Sequence, residues 1–259
     1  MSDANSPAHR DAPVLAARQV SKHFGGVTAC EDVTIEFPAG SVTAIVGDNG
    51  AGKTTLVKML CGVLRPDSGY IEVDGAPAQF GMPEDARRAG IETVYQDLAL
   101  ADHRDVAQNL FLGRELTRSF GPIRLLAVRR MREQSREILS DLSIRLPDVT
   151  TEVRKLSGGQ RQGVAIGRAV HWGYRILIMD EPMAALGLQE SRRVMELVEQ
   201  LAGRGLTQIV ISHNLDHVFS LATRVAVMRH GSLVGVRDIA GTTREDVFRM
   251  ISGIEASSG

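Results

Sequence analysis

Gly47-Asp48-Asn49-Gly50-Ala51-Gly52-Lys53-Thr54 constrains this chain of 259 residues more than any other stretch. Val42-Thr43-Ala44-Ile45-Val46, short and mostly apolar, precedes it as a buried strand, and Thr55-Leu56-Val57-Lys58-Met59-Leu60 follows as a helix. The spacing G-x-x-x-x-G-K-[ST] between a strand and a helix is that of a phosphate-binding loop. Its glycines let successive backbone N–H groups turn inward around a polyphosphate, where a Cβ would obstruct the approach. A helix beginning at Lys53 points its free N–H groups and its dipole at the same anion. Lys53 is expected to reach the β- and γ-phosphates, the Thr54 hydroxyl to ligate Mg2+, and Thr55 to join the nucleotide contacts. The alternative, a glycine-rich turn with an incidental lysine, leaves the flanking strand and helix unexplained.

Composition sets limits around that loop. With 43% hydrophobic and 24% charged residues the chain can bury a sizeable core, and a net charge of −1 argues against a nucleic-acid partner. Cys30 and Cys61 form no C-x-x-C pair and read as packing residues in a reducing compartment. Residues 1–13 read as a disordered tail, 14–252 as one domain and 253–259 as a flexible tail. No apolar run approaches the roughly 18 residues that a membrane span needs.

Alternation and turn signals predict strands at Val14–Val20, Val33–Phe37, Tyr70–Val73, Ile91–Tyr95, Arg175–Met179, Gln208–Ile211, Arg224–Arg229 and Ser232–Val236. Pro66 to Gly69 reads as a turn. Helices are expected at Pro83–Arg88, about 189–202, and Thr243–Ile251, the last capped by Thr242 or Thr243. From about Asp105 to Leu146 the pattern is helical, with Met131, Ser135, Ile138 and Leu142 on one face and Arg129, Arg130 and Arg132 elsewhere. This stretch reads as part of a helical insertion, about 100–170, in an α/β chain. Its arginines suit a solvated helix face, with a partner-facing surface as the alternative.

Two further motifs carry chemistry. Asp180-Glu181 ends the apolar run Ile176-Leu177-Ile178-Met179, at the carboxyl end of a strand, where open parallel sheets place ligands. Asp180 is expected beside Mg2+, leaving Glu181 to polarise the attacking water as general base. Alone, an Asp-Glu pair also suits a helix N-terminus. Leu156-Ser157-Gly158-Gly159-Gln160 places a capping serine and two glycines at a helix start, a second anion-binding cradle. Its bland reading is a capped loop. One nucleotide rarely needs two cradles, which points to a nucleotide held by another copy of the chain.

Taken in order, the phosphate loop, Gln96, Leu156 to Gln160, Asp180-Glu181-Pro182 and His213 resemble an ATP-binding-cassette ATPase across roughly Val14 to Gly235. That resemblance implies a RecA-like core, an antiparallel β subdomain and a helical subdomain insertion. It implies ATP and Mg2+ as ligands and a head-to-tail dimer enclosing two ATP molecules, with a homodimer expected and pairing with a second cassette protein as the alternative. On this pattern Phe24 stacks on adenine, Gln96 touches Mg2+ and the attacking water, and His213 contacts the γ-phosphate. Ser157, Gly158, Gly159 and Gln160 close over the nucleotide of the opposite subunit. Taken singly, Phe24 suits a core position and His213 a structural one.

The wording of Val94 to Asp97, Asn109 to Glu115 and Ser212 to Leu215 is similar to bacterial carbohydrate importers of the ribose, galactose and fructose group. The implied function is an ATPase subunit at the cytoplasmic face of the inner membrane. It would energise solute import, with a monosaccharide expected, through integral-membrane permease subunits served by a periplasmic or extracytoplasmic solute-binding protein. Importers of amino acids or lipids, and non-transport cassette ATPases, are the rival readings. Met183 stands where most cassettes have threonine, and Gly187 where most have aspartate, a glycine the carbohydrate group often shares.

Overall fold

A computed structural model describes residues 13–120 and 123–254; the tail expectations at 1–12 and 255–259 lie outside the described residues. In chain order the elements are β1 (Pro13–Phe24), β2 (Val27–Pro38), β3 (Val42–Val46), α1 (Lys53–Leu60), β4 (Ser68–Val73), β5 (Ala76–Ala78), α2 (Pro83–Arg88) and β6 (Ile91–Val94). Next come α3 (Val106–Leu110), β7 (Thr117–Phe120), β8 (Ile123–Leu126), α4 (Val128–Asp141) and α5 (Gly158–His171). The chain closes with β9 (Ile176–Asp180), α6 (Leu188–Gly203), β10 (Thr207–Ile211), α7 (Leu215–Leu221), β11 (Arg224–Arg229), β12 (Ser232–Asp238) and α8 (Arg244–Ser252). Contacts divide it into two compact units, one of residues through Thr93, Arg175–Glu181 and Leu201 onward, the other of Val94–Tyr174 and Pro182–Gln200.

In the first unit the six-stranded sheet has the order β12-β11-β3-β10-β9-β6. β3 and β10 are buried at every position, as strands covered on both faces must be, and both pair in parallel with their neighbours. Arg224↔Thr43 to Val227↔Val46 sets β11 beside β3, and β12 returns antiparallel as the edge. A four-stranded antiparallel sheet, β2-β1-β4-β5, forms the rest of the strand content of this unit. β4 begins at Ser68, so the expected turn ends earlier than its Ser68-Gly69 suggests. Asn214 accepts from the N–H groups of Asp216 and His217 and starts α7, a short helix the pattern alone did not predict.

The second unit packs Val106, Leu110, Phe111, Met131, Leu139, Val153 and Val164 into one core. Within α4 the buried stripe is Met131, Ser135 and Leu139, with Leu142 buried at the C-cap; Ile138, expected on that face, is only half-buried. The uniformly helical reading of 105–146 is corrected by the β7–β8 hairpin. Gly121-Pro122 in the sequence is a turn signal, and the helical apolar spacing resumes only from Val128. Among the described residues, no helix is long and apolar enough to cross a membrane.

Candidate functional site

Three chain segments leave the same edge of the six-stranded sheet. Ile211, the last residue of β10, pairs with Ile45 of β3 on one side and with Asp180 of β9 on the other. The residues that follow are therefore neighbours: Gly47 after β3, Glu181 after β9, and Ser212-His213 after β10. This is the carboxyl edge, where parallel sheets of this kind place ligands.

The loop at 47–52 has the shape that its glycines permit. Gly47 has φ +150°, and a Cβ there would lie 2.2 Å from the Met228 carbonyl oxygen. At Gly52, φ is +97° and a Cβ would meet the Ala29 carbonyl at 2.4 Å. Neither position accepts a side chain. The Ala51 N–H donates to the Asp48 carbonyl at 3.1 Å, while Asp48, Asn49 and Gly50 stay exposed. α1 begins with no side-chain cap and no acidic residue in its first turn, so its leading N–H groups face outward without a protein anion. That is a cradle suited to an anion. Lys53 Nζ donates to the carbonyls of Gly47 at 2.7 Å and Asp48 at 2.8 Å. Burial lowers its pKa, an effect opposed by Glu181, Asp48 and Asp180. Thr54 is exposed and Thr55 half-buried. Behind the loop, Cys30 donates its thiol to the Gly52 carbonyl at 3.5 Å, and burial pushes that thiol up to about 11, so it packs as a neutral group.

Glu181 is held in the left-handed region at φ +50°, with its N–H donated to the Ile211 carbonyl at 3.0 Å. Its Oε1 lies 2.7 Å from Nδ1 of His213, whose side chain is 73% exposed while that of Glu181 is 18% exposed. A non-glycine residue in the left-handed region carries backbone strain, held here by the bond to Ile211. The pKa of Asp180 is raised by burial and by the neighbouring Glu181, against the pull of Lys53 and Lys58. The first unit thus brings Lys53, Asp180, Glu181 and His213 together. Phe24, at the end of β1, is 49% exposed rather than core, with Lys22 Nζ 5.8 Å from its ring centroid. Asp67 fixes that lysine at 2.6 Å.

Gln96 and residues 157–160 belong to the second unit. Gln96 is exposed just after β6. Arg168 of α5 donates to the carbonyls of Leu98 and Ala99 at 3.0 and 2.9 Å, and Arg161 pairs with Asp102 at 2.8 Å, so α5 holds the segment that follows Gln96. Ser157 caps α5 as expected: its Oγ accepts from the Gln160 N–H, and the Gln160 side chain accepts from the Ser157 N–H. The reading from sequence missed Glu190. Its carboxylate accepts from the Ser157 hydroxyl and the Gly159 N–H, which hold its pKa below the ordinary value. A Cβ on Gly158 would lie 2.8 Å from Leu186, and one on Gly159 2.9 Å from Glu190 Cβ, so Gly158 admits the loop before α6 and Gly159 admits α6 itself. Only a carboxylate in the first turn of α6 hinted at this contact. Met183 is buried and Gly187 exposed, and nothing in the structure explains the choice of methionine.

Residues 30–184, more than half the chain, match the family model described as ABC transporter. A fructose import ATP-binding protein of Rhizobium meliloti is 43% identical, covering 93% of this chain and 94% of its own. A xylose/arabinose import ATP-binding protein of Sulfolobus acidocaldarius is 40% identical over 92% and 94% of the two chains. A ribose import ATP-binding protein of Burkholderia cenocepacia is 39% identical, and this chain spans 48% of it. Among solved structures, an ATP-binding cassette of an ABC transporter in its ADP conformation superposes with a TM-score of 0.78 at 25% identity, over 94% and 96% of the chains. A shared fold and near-full-length relatives at 40% identity or more settle the family: this chain belongs to the ABC transporters.

Proposed function

We propose that this chain is the ATP-hydrolysing subunit that energises import of a monosaccharide through a separate membrane permease. The observation that carries the enzymatic part is Glu181, a carboxylate fixed against His213 at 2.7 Å on the sheet edge that also carries the phosphate loop. The relatives named for fructose, xylose/arabinose and ribose import support the substrate class.

Each residue then has a physical role. Lys53 exchanges the Gly47 and Asp48 carbonyls for the β- and γ-phosphate oxygens. The open first turn of α1, reached through Gly47 to Gly52, takes the remaining phosphate charge, with Thr55 beside it. Among the described residues no group of three His, Cys, Asp or Glu side chains forms a metal cage. Mg2+ keeps waters and uses one or two protein oxygens plus substrate phosphates. Thr54 and the half-buried Asp180 would supply such oxygens, with Gln96 as a further ligand, and the bound ion would neutralise phosphate charge. Glu181 accepts a proton from the attacking water, and His213 contacts the γ-phosphate. Phe24 offers an exposed ring to adenine. Ser157, Gly158, Gly159 and Gln160 serve a second copy's nucleotide in a head-to-tail homodimer. The partners are permease subunits at the cytoplasmic face and, through them, an extracytoplasmic solute-binding protein.

Glu181→Gln tests the base directly. Positioned general bases contribute about 10²–10⁴-fold, so phosphate release should fall by that order while ATP titration shows binding retained. Turnover near the wild-type rate would remove Glu181 from the role. Lys53→Ala should instead weaken ATP binding itself, read in the same titration.

A further inference from the structure

The β7–β8 hairpin of the second unit takes no part in this chemistry. Its two strands pair with each other and, among the described residues, with no third strand, in the register Thr117↔Leu126, Arg118↔Leu125, Ser119↔Arg124. At its base the Ala127 N–H donates to the Leu116 carbonyl at 2.7 Å, and Leu116 packs on the helical core. Beyond that anchor every described side chain of β8 is exposed, Ile123 and Leu126 more than half so. Opposed residues share a face, so one face carries Leu126 with Arg124 and the other Leu125 with Arg118 and Ile123. A lone hairpin showing leucines on both faces is marginal in water and gains from a cover.

Charge selects the cover. From Leu116 to Arg132 the chain holds five arginines and no carboxylate. Arg132 pairs with Asp105 and Arg129 with Glu133, whereas Arg118, Arg124 and Arg130 have no ion pair among the described residues. Cytoplasmic loops of polytopic membrane proteins carry an excess of Lys and Arg, and a second copy would bring the same arginines, so both oppose like charge. An anionic lipid leaflet matches both properties, with phosphates for the guanidiniums and an apolar boundary for the leucines. We propose that the hairpin is a membrane-surface anchor, seating Ile123 and Leu125 at the interface of an anionic leaflet with Arg118, on the same face, and the exposed Arg124 and Arg130 reaching its phosphates. The proposal uses the transport reading only to bring a membrane within reach.

Co-sedimentation of the full chain with vesicles tests it without any permease, so it stands or fails separately from the transport reading. Vesicles containing phosphatidylglycerol should bind the chain, pure phosphatidylcholine vesicles should bind it far less, and added salt should release it. A basic side chain near such a surface is worth roughly a fivefold change in partitioning, so Arg118→Gln with Arg124→Gln should lower binding about 25-fold. Ile123→Ser with Leu125→Ser should also weaken it. ATP hydrolysis by both variants should match wild type, which shows that they fold. No binding, equal binding to both vesicle types, or binding that the folded variants retain would overturn the anchor. Variants that lose a co-purifying permease while wild type ignores anionic vesicles would make the hairpin a protein contact instead.

Discussion

Individual residues at the phosphate loop are determined by sterics that can be calculated from the backbone. A methyl group at Gly47 would sit 2.2 Å from a carbonyl oxygen. Gly47→Ala should therefore open the loop and abolish ATP binding, with a strain cost of about 1–3 kcal/mol visible as a lowered melting temperature. Asp180 makes the opposite kind of prediction. Its folded pKa is raised by burial and by Glu181, so the folded state holds this proton more tightly than the unfolded state does. The associated stability is complete at acid pH and is lost as pH rises through the raised value. Asp180→Asn should thus raise the melting temperature of the nucleotide-free protein by a few degrees at pH 7. That gain should vanish at acid pH, and the variant should lose the extra stabilisation that Mg2+ adds to ATP. Thermal scans across pH, with and without Mg2+, read both effects. The loop residues were legible because their constraint is local. Glu190 was not, because its contact with Gly159 joins two helix starts far apart in the sequence.

At the scale of elements, caps and buried polar groups decide the second unit. Ser157→Ala removes the α5 cap and one donor to Glu190, and cap losses of this kind cost about 1 kcal/mol. Asn109 is fully buried, and its amide bonds both the N–H and the carbonyl of Ala101 as well as the Asp105 carbonyl. Asn109→Ala leaves the buried Ala101 N–H without its acceptor, while the Ala101 and Asp105 carbonyls keep the N–H groups of Arg104 and residue 109, and it should cost about 1–3 kcal/mol, measured as a lower urea midpoint. Elements with strong period or punctuation were readable: α2 starts at its proline, and Thr243, one of the two expected caps, caps α8 at Arg244. The hairpin inside 105–146 was not readable, because its four-residue strands, Thr117–Phe120 and Ile123–Leu126, are short and their described side chains are exposed on both faces. Period-2 alternation reports burial on one face, and this hairpin buries neither. In α4 the serine at 135, bonded to the Met131 carbonyl, sits in the buried stripe, and the stripe continues to Leu139 rather than Ile138.

For the whole molecule, the α/β class and the six strands of the larger sheet were visible in the apolar runs, but the strand order was not. β3 lies between β11 and β10, partners distant in sequence, and local pattern carries no record of which crossover neighbours which. The central claim concerns the protein at work: ATP hydrolysis by this chain drives monosaccharide entry. The measurement that tests it most directly is uptake of labelled fructose, ribose, xylose and arabinose by cells lacking the chain and supplied with wild type or Glu181→Gln. Wild type should restore uptake of at least one of these sugars and Glu181→Gln should not. Uptake unchanged by the chain's loss, or restored equally by both forms, would contradict the account.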